Sequence, residues 1–486
     1  MQPNLLFIFT DEQRYDTMAA YDNHVIQMPN LNRLASESIV VDRAYVTQPI
    51  CTPSRSSLLT GLYPHTNGCT KNNVSLSEDV PSFPEMLSHG EYVTAYYGKW
   101  HLGDEIFRQH GFDDWRSIED GYREYYCPGR DRTAHSTYHD FLVDSGILPT
   151  DGSFFSRAET ARLPECHGKP AYLAREASRF IRDNRSRPFA LFVGFLEPHM
   201  PFFGPRDNQY DPAEVTLPPN FTDIPTADQP LRTRLYHQGY SELGYDGVAL
   251  RAEADWRRLI ANYWGLCSLV DTHVGTILRT LEECGLADNT IVVYTSDHGD
   301  QMGSHGLLHK GLVYEESTLA PLLIRLPWQK ASWRVSSPVS QIDLVPTLLD
   351  LMEQSVPSHV QGRSLRPLLC GRETLQRDVF IEWSGEDAKF VGVKTEEDIP
   401  DCMLDLASRE RIWEAFNEPW RAVVSSDQWK FCCRPGGEHE LYDLSNDPGE
   451  TKNLARREEL HPLMNDLLQR IRGWQDDTAD TLEIAL

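Results

Sequence analysis

A cysteine lies in a short stretch whose neighbours suit an anion-binding site. Cys51 is followed by Pro53 two residues later and by Arg55 four residues later. Pro49 and Pro53 hold the chain extended or turned around the cysteine, and a helix beginning at Ser54 would present its first N–H groups to an anion. The guanidinium of Arg55 matches a pair of sulfate or phosphate oxygens. A lone cysteine is more often a small buried hydrophobe, but these neighbours predict that Cys51 lies where a tetrahedral anion is held.

Acidic residues follow two separate apolar runs. Residues 5–9 are followed by Asp11, and residues 290–296 are followed by Asp297. Such runs are typical of strands buried on both faces, and ligands bind at the carboxyl ends of strands in open α/β sheets. Asp11 on its own could equally cap a helix. Two buried strands that both end in aspartate indicate one oxygen-rich site, which suits a divalent cation.

Basic residues and histidines occupy similar positions elsewhere in the chain. Lys99 and His101 follow the predicted strand at residues 92–97, where a solvated turn is the alternative interpretation. His199 lies between two prolines at the end of a later predicted strand, and Lys310 lies in a glycine-rich loop. We expect no direct chemistry from the two other histidines of that loop, His305 and His309.

Two motifs resemble those of a known enzyme family. Cys-Thr-Pro-Ser-Arg at residues 51–55, followed by Ser-Ser-Leu-Leu-Thr-Gly at residues 56–61, looks like the signature of the type I sulfatases. Gly-Lys-Trp-His-Leu-Gly at residues 98–103 is similar to a second sulfatase motif. A cysteine phosphatase loop is the obvious competitor, but it would place its arginine six residues after the cysteine within a glycine-rich loop.

The resemblance implies a sulfuric ester hydrolase of alkaline phosphatase-like α/β architecture. In that family the cysteine is oxidised to formylglycine, whose hydrated aldehyde attacks sulfur, so a formylglycine-generating enzyme is an expected partner. Many sulfatases have a second aspartate where this chain has Glu12. The expected cation is Ca²⁺, with Mn²⁺ or Mg²⁺ as alternatives because an imidazole accompanies the carboxylates. The implied metal ligands are Asp11, Glu12, Cys51, Asp297 and His298.

The resemblance also implies how the catalytic work is divided. Arg55, Lys99 and Lys310 stabilise the developing negative charge. His199, together with Lys310, protonates the departing alcohol. His101 takes the second proton of the diol, so that the aldehyde re-forms and sulfate is expelled. The implied catalytic residues are Cys51, Arg55, Lys99, His101, His199 and Lys310.

The predicted elements form one large unit and one smaller unit. Residues 1–370 are predicted to form a catalytic domain with a large mixed or parallel sheet sandwiched by helices. Residues 371–486 are predicted to form a C-terminal subdomain with an antiparallel sheet and one helix. Within it, residues 385–420 have the character of an insertion, and the tail at residues 475–486 is an expected place for contacts in a homo-oligomer.

Two stretches lack clear periodicity and one long stretch shows it strongly. Residues 104–168 are predicted to form a lid or binding loop, which residues 204–250 join. Apolar residues at spacings of three and four from Trp256 to Leu281 predict a long amphipathic helix that belongs to the core.

Composition excludes several classes of partner. The chain of 486 residues has a net charge of −26, which argues against nucleic acid because phosphate binding needs a basic face. No apolar run approaches the length needed to cross a bilayer, so no membrane association is expected. The start predicts a strand instead of a signal peptide, which favours a cytoplasmic location, or a periplasmic or secreted one if a leader was removed. Ten cysteines without a repeating spacing fit reduced thiols.

Two rival functions remain open at this point. A phosphonate monoester or phosphodiester hydrolase on the same scaffold would resemble this chain at both acidic strand ends. Such enzymes typically lack the Lys-Trp-His element, which favours sulfate here. A catalytically silent anion- or sugar-binding protein with an unmodified Cys51 is the rival from another class. The sequence does not indicate whether the substrate alcohol is aryl, sugar or small alkyl.

Overall fold

Thirteen strands form two separate sheets in the part of the chain that the structure describes. A computed structural model describes residues 2–88, 90–329, 331–371, 376–385, 390 and 392–486. The strands are β1 Asn4–Asp11, β2 Ile39–Tyr45, β3 Val93–Gly98, β4 Asp114–Ser117, β5 Phe189–Pro198, β6 Thr290–Ser296, β7 Leu319–Arg325, β8 Trp333–Val335, β9 Val339–Ser340, β10 Val379–Trp383, β11 Trp420–Val424, β12 Trp429–Cys433 and β13 Glu440–Asp443.

Helices cover both faces of the larger sheet. The helices are α1 Pro29–Ser36, α2 Cys51–Thr60, α3 Pro64–Asn67, α4 Phe83–Met86, α5 Thr137–Asp144, α6 Arg157–Ala161, α7 Lys169–Asp183, α8 Leu231–Leu243, α9 Glu253–Glu283, α10 Glu315–Thr318, α11 Leu344–Leu351, α12 Arg366–Leu369, α13 Arg409–Asn417 and α14 His461–Thr478. Alternate residues of β1 point to opposite faces. Leu6 and Ile8 pack into the cluster that contains α7 and α9, whereas Leu5 and Phe7 pack into the cluster that contains α2 and α11.

The larger sheet is mixed, with nine strands. Its order is β4-β3-β5-β1-β6-β7-β2-β8, and β9 pairs with β2. The five neighbouring strands β4, β3, β5, β1 and β6 are parallel, while β7 is antiparallel to both of its neighbours, β6 and β2. The predicted α/β sandwich is therefore confirmed, and the central strands are buried on both faces as their apolar runs predict.

The stretches without periodicity contain more regular structure than predicted. The expectation that residues 104–168 are irregular is wrong in part, because they contain β4, α5 and α6. Residues 204–250 likewise contain α8. The long amphipathic helix is present as α9. Short elements of this kind depend on packing against neighbours more than on their own pattern.

The second sheet is antiparallel, in the order β10-β11-β12-β13, and α14 packs against β11 and β12. This matches the predicted small sheet with one helix. The boundary at residues 370 and 371 falls between the two sheets, and the division into domains stays a prediction. The predicted insertion at 385–420 lies partly outside the described residues and includes α13. In the predicted tail, α14 continues to Thr478 and Ile484 packs into the chain's own C-terminal cluster.

Every cysteine of the chain is a free thiol in the structure. Among the helices of the described residues, none has the combined length and apolar character needed to cross a bilayer.

Candidate active site

Four adjacent parallel strands bring polar residues to one edge of the large sheet. The neighbouring strands are β3, β5, β1 and β6. Asp11 is the last residue of β1, and Lys99, His199 and Asp297 directly follow β3, β5 and β6. Because the carboxyl ends of parallel strands meet at the same edge, four residues that are distant in sequence lie together there.

Cys51 lies at the N-terminus of a helix beside this edge. The helix α2 begins at Cys51, three residues earlier than predicted, so the cysteine itself lies among the free N–H groups. The cysteine is only 1% exposed. Its Sγ atom lies 3.6 Å from Asp11 Oδ1 and 3.3 Å from His298 Nε2. Arg55 is one turn further along α2, on the same face as the cysteine.

Arg55 and Lys99 are paired with the carboxylates of the site. Arg55 donates from Nε to Asp297 Oδ2 at 2.8 Å and from Nη2 to Asp11 Oδ2 at 2.8 Å. Lys99 Nζ donates to the same Asp11 oxygen at 2.6 Å. Burial alone would raise the pKa of Asp11, but the charges of Lys99, His199 and Arg55 hold that pKa well below its usual value. Asp11 is therefore an anion surrounded by cations.

Two carboxylates, one imidazole and one sulfur atom form a compact group. Donor atoms of Asp11, Cys51, Asp297 and His298 all lie within 4.8 Å of one another. Nδ1 of His298 is 2.8 Å from the Gly299 carbonyl and must donate to it, so Nε2 is the atom left for the group. Burial and the charge of Asp11 raise the pKa of Asp297. A divalent cation would remove this repulsion, and the donor set fits one.

His101 occupies a turn with an unusual backbone conformation. Gly98 passes so close to β5 that a Cβ atom there would lie 1.9 Å from the Gly194 carbonyl oxygen, and His101 has a φ of 61°. His101 Nε2 donates to Asn73 Oδ1 at 2.9 Å, while Nδ1 has no hydrogen-bond partner among the described residues. Burial and the charge of Lys99 keep the pKa of His101 well below its usual value. Neutral His101 can therefore accept a proton at Nδ1.

His199 lies near Asp11, the last residue of β1, and near Glu12, which follows it. Its Nδ1 atom donates to the Met200 carbonyl at 2.8 Å, which fixes the orientation of the ring. Its Nε2 atom lies 3.5 Å from Glu12 Oε2 and 4.0 Å from Asp11 Oδ1. Burial lowers the pKa of His199 although the charge of Glu12 raises it, and the pKa remains well below its usual value.

A second group of charged residues lies beside His199. Glu12 Oε1 is 2.8 Å from Lys310 Nζ and 2.8 Å from His309 Nδ1. His309 Nδ1 is also 3.7 Å from Asp300 Oδ2. His309 therefore contacts the carboxylates of this group, whereas His305 bonds to Asn220. The expectation that neither histidine takes part directly in the chemistry stays a prediction. Asp300 was not among the predicted site residues. Its position three residues after Asp297, at the end of the same strand, is the sequence signal that could have identified it.

The stretch 104–168 contributes residues next to His101. The ring of Tyr122 lies 4.5 Å from the ring of His101, centroid to centroid. Arg157, the first residue of α6, donates to Tyr122 Oη at 2.5 Å and to Glu119 Oε2 at 2.5 Å. No motif marks these residues in the sequence, because they reach the site through the tertiary fold alone.

Comparison with known proteins shows similarity over the whole chain. N-acetylglucosamine-6-O-sulfatase of Bacteroides thetaiotaomicron is 28% identical over 531 residues, which cover 100% of this chain and 89% of the relative. A protein solved in complex with its substrate D-glucosamine-2-N,6-O-disulfate has a TM-score of 0.74 at 23% identity, with 99% of each chain covered. The phosphonate monoester hydrolase of Silicibacter pomeroyi has a TM-score of 0.78 at 23% identity, covering 98% of this chain and 96% of that one.

The two structural similarities establish the fold alone, because the sequence identity in both comparisons is too low to assign a function. The family is established by sequence: the family model described as Sulfatase matches residues 3–354, which is most of the chain. The protein therefore belongs to the sulfatase family and is a sulfuric ester hydrolase.

Proposed function

We propose that the protein hydrolyses a sulfate monoester of an alcohol with a formylglycine formed from Cys51. The observation that carries this proposal is the position of Cys51 at the start of α2, within 3.6 Å of Asp11 and 3.3 Å of His298. A formylglycine supplies a hydrated aldehyde as the nucleophile toward sulfur. Maturation then requires a formylglycine-generating enzyme that reads Cys-x-Pro-x-Arg. The free cysteines of the chain support a cytoplasmic location.

Asp11, Asp297, His298 and the side chain at position 51 are the proposed ligands of a divalent cation. Such a cation would polarise an oxygen of the ester and lower the pKa of the attacking hydroxyl group. Ca²⁺ is the proposed ion, and Mn²⁺ or Mg²⁺ are the alternatives. The imidazole in the donor set keeps Mn²⁺ in consideration. The sulfate group would lie at the N-terminus of α2, where N–H groups favour an anion.

Three cations of the chain stabilise the negative charge of the sulfate group. Lys99 Nζ is fixed at 2.6 Å from Asp11, and Arg55 bridges Asp11 and Asp297. Lys310 lies next to Glu12. Because these side chains are held by buried partners, they need little reorganisation when charge develops on the sulfate oxygens.

Two histidines are assigned to proton transfer. His101 accepts a proton at Nδ1, the ring nitrogen that Asn73 leaves free. His199 acts at Nε2 together with Lys310, which protonates the departing alcohol. Burial opposes the charge of Lys310, but Cys51 and Glu12 raise its pKa well above the usual value. In the resting site the proton is therefore held on Lys310. Neutral His199 can relay it, by accepting the proton at Nε2 and giving it to the alcohol oxygen as the S–O bond breaks.

The test is release of inorganic sulfate from a panel of esters. The panel contains nitrophenyl sulfate, sulfated sugars, choline sulfate and a phenyl phosphonate monoester. We expect sulfate release from at least one sulfate ester, loss of turnover in Cys51→Ala, and full turnover in Cys69→Ala, which removes another buried thiol. Faster hydrolysis of the phosphonate ester than of every sulfate ester would favour the rival hydrolase.

A further inference from the structure

Glu12 directly follows the proposed metal ligand Asp11, but its side chain takes a different direction. Glu12 has a φ of 69°, in the left-handed region that residues other than glycine rarely occupy. Its backbone is fixed in that conformation. Its N–H donates to Asp297 Oδ1 at 3.1 Å, and its carbonyl accepts from Tyr263 Oη at 2.8 Å. Strained conformations of this kind concentrate at functional sites.

The Glu12 carboxylate instead contacts the residues on the leaving-group side. Oε1 is 2.8 Å from both Lys310 Nζ and His309 Nδ1, and Oε2 is 3.5 Å from His199 Nε2. Asp300 Oδ1 accepts from the backbone N–H of His309 at 3.1 Å, which holds the loop that contains His309 and Lys310. One carboxylate therefore joins three side chains from two distant loops.

The compact group of proposed metal ligands is complete without Glu12. That group contains Asp11, Cys51, Asp297 and His298, and Glu12 belongs to two other groups, one with Asp11 and His199 and one with Asp300 and His309. A second cation at Glu12 is disfavoured, because the ammonium of Lys310 already neutralises the carboxylate at 2.8 Å. The contacts of the Glu12 carboxylate are those of a group that holds the side chains of Lys310, His309 and His199 in place.

We propose that Glu12 is not a cation ligand but a positioning residue, which holds Lys310 and His199 against the departing alcohol. The inference rests on the proposed function, because it assigns Glu12 to the protonation of the leaving group. This positioning role would replace the role of metal ligand that the resemblance to sulfatases implied for Glu12. His309 and Asp300 complete the same assembly by holding the Glu12 carboxylate and the loop of Lys310.

Two measurements on Glu12→Gln test the proposal, with Asp297→Asn as the comparison variant. The first is the affinity for the divalent ion, measured by chelator competition and elemental analysis. We expect the dissociation constant of Glu12→Gln to change less than about 3-fold, and that of Asp297→Asn to rise at least about 10-fold, as for loss of a ligand. The second is the rate for sulfate esters of graded leaving-group pKa. We expect losses of about 10²-fold or more for alkyl esters and far smaller losses for nitrophenyl esters.

A double variant measures whether Glu12 acts through Lys310. If it does, Glu12→Gln combined with Lys310→Met should lose little more alkyl-ester activity than Lys310→Met alone, since the two residues form one unit. Glu12→Asp, which keeps the charge on a shorter side chain, should fall between wild type and Glu12→Gln. Thermal denaturation of each variant checks that the fold is retained.

Three outcomes would overturn the proposal. One is a weakening of ion binding in Glu12→Gln as large as that in Asp297→Asn. Another is an equal loss of rate for all leaving groups, and the third is full additivity with Lys310→Met. Failure of the proposed function would look different: wild type would release no sulfate from any ester, while the ion-affinity comparison would still show whether Glu12 binds the cation.

Discussion

Buried charges occur in two regions of this protein, and the two regions organise them differently. Where the C-terminal sheet meets the larger unit, Lys430 of β12 contacts Glu315 at 2.5 Å and Glu450 at 2.8 Å. Nearby, Arg434 contacts Glu440 at 2.5 Å. These are contacts between opposite charges, and the contact of Lys430 with Glu315 joins α10 of the larger unit to the C-terminal sheet.

At the edge of the large sheet, like charges converge as well. Asp11 and Asp297 lie in one compact group, and their mutual repulsion contributes to the raised pKa of Asp297 after burial itself. Buried atoms without a hydrogen-bond partner among the described residues occur in both regions, for example Glu12 Oε2 and His309 Nε2 at the sheet edge and Glu315 Oε1 and Arg434 Nε at the junction. The sheet edge differs because donor atoms of its two carboxylates lie in one compact group with a thiol and an imidazole. We therefore expect the first region to contribute mainly to the stability of the fold and the second region to contribute mainly to ligand binding.

The largest effect that sharpens this comparison is expected from Asp297→Asn. Removing one carboxylate should weaken ion binding and lower kcat/KM by at least about 10³-fold, since the ion supplies several kcal/mol of transition-state stabilisation. The thermal stability of the ion-free protein should not fall, because a like-charge repulsion is removed. Asp271→Asn is the matched control, since Asp271 is also buried but caps α1 through the Leu31 N–H. Unchanged ion content in Asp297→Asn would show that the cation site is misplaced.

Lys430→Met should have the opposite profile. It leaves the carboxylates of Glu315 and Glu450 buried without their cation, which should cost about 3–5 kcal/mol of unfolding free energy. Turnover of the folded protein should stay near wild type. Denaturant unfolding and steady-state kinetics on the same samples measure both quantities, with exposed Lys452→Met as the control. Loss of turnover in a folded Lys430→Met protein would mean that the two regions are not separate.

The two histidines of the site should separate by leaving group. His199→Ala should lower the rate of alkyl or sugar sulfate hydrolysis about 10²-fold more than that of nitrophenyl sulfate, because a nitrophenolate leaves without a proton. His101→Ala should slow both substrates similarly, since His101 acts after the alcohol has left. A series of sulfate esters run on both variants gives the measurement. Equal losses across the series for His199→Ala would mean that the roles are misassigned.

The smallest effect concerns the pH dependence of a contact between the larger unit and the C-terminal sheet. His65 Nδ1 contacts Glu382 Oε2 at 2.5 Å, and although burial disfavours the charged ring, this carboxylate raises the pKa of His65. A raised pKa contributes stability that is fully present below the ordinary histidine pKa and is lost as pH rises through the folded-state value. We expect a loss of about 1 kcal/mol over that interval. His65→Gln should remove this pH dependence of the unfolding free energy, and the control His359→Gln, at an exposed position, should keep it. Identical pH profiles of stability in the wild type and His65→Gln would contradict the assignment.

The fold could be predicted where a strand has a continuous apolar run. The bounds of β6 match the prediction residue for residue, and the aspartates at the ends of β1 and β6 meet at one edge as expected. The sequence does not indicate β4 or α8, whose patterns are weak and whose positions depend on packing against other elements. It also does not show that β7 runs antiparallel, because an apolar run carries no direction.

The convergence of polar residues at one edge of the large sheet could be predicted from the sequence, but their side-chain contacts could not. The two motifs contain Cys51, Arg55 and Lys99, whereas Asp297 is indicated by the apolar run that precedes it. The contacts of Glu12 are set by its backbone conformation and by His309 and Lys310, which lie almost 300 residues away in the chain. No local pattern can express such a contact, so the sequence alone grouped Glu12 with its neighbour Asp11.

The most direct test of the account is the chemical state of position 51 in the active enzyme. Mass spectrometry of the peptide that contains Cys51 should show an aldehyde in place of the thiol when the protein is produced with a formylglycine-generating enzyme. The specific sulfatase activity of different preparations should rise in proportion to the converted fraction, and Cys51→Ala should show neither the aldehyde nor turnover. Full sulfatase activity in a preparation whose Cys51 is entirely unmodified would contradict the account.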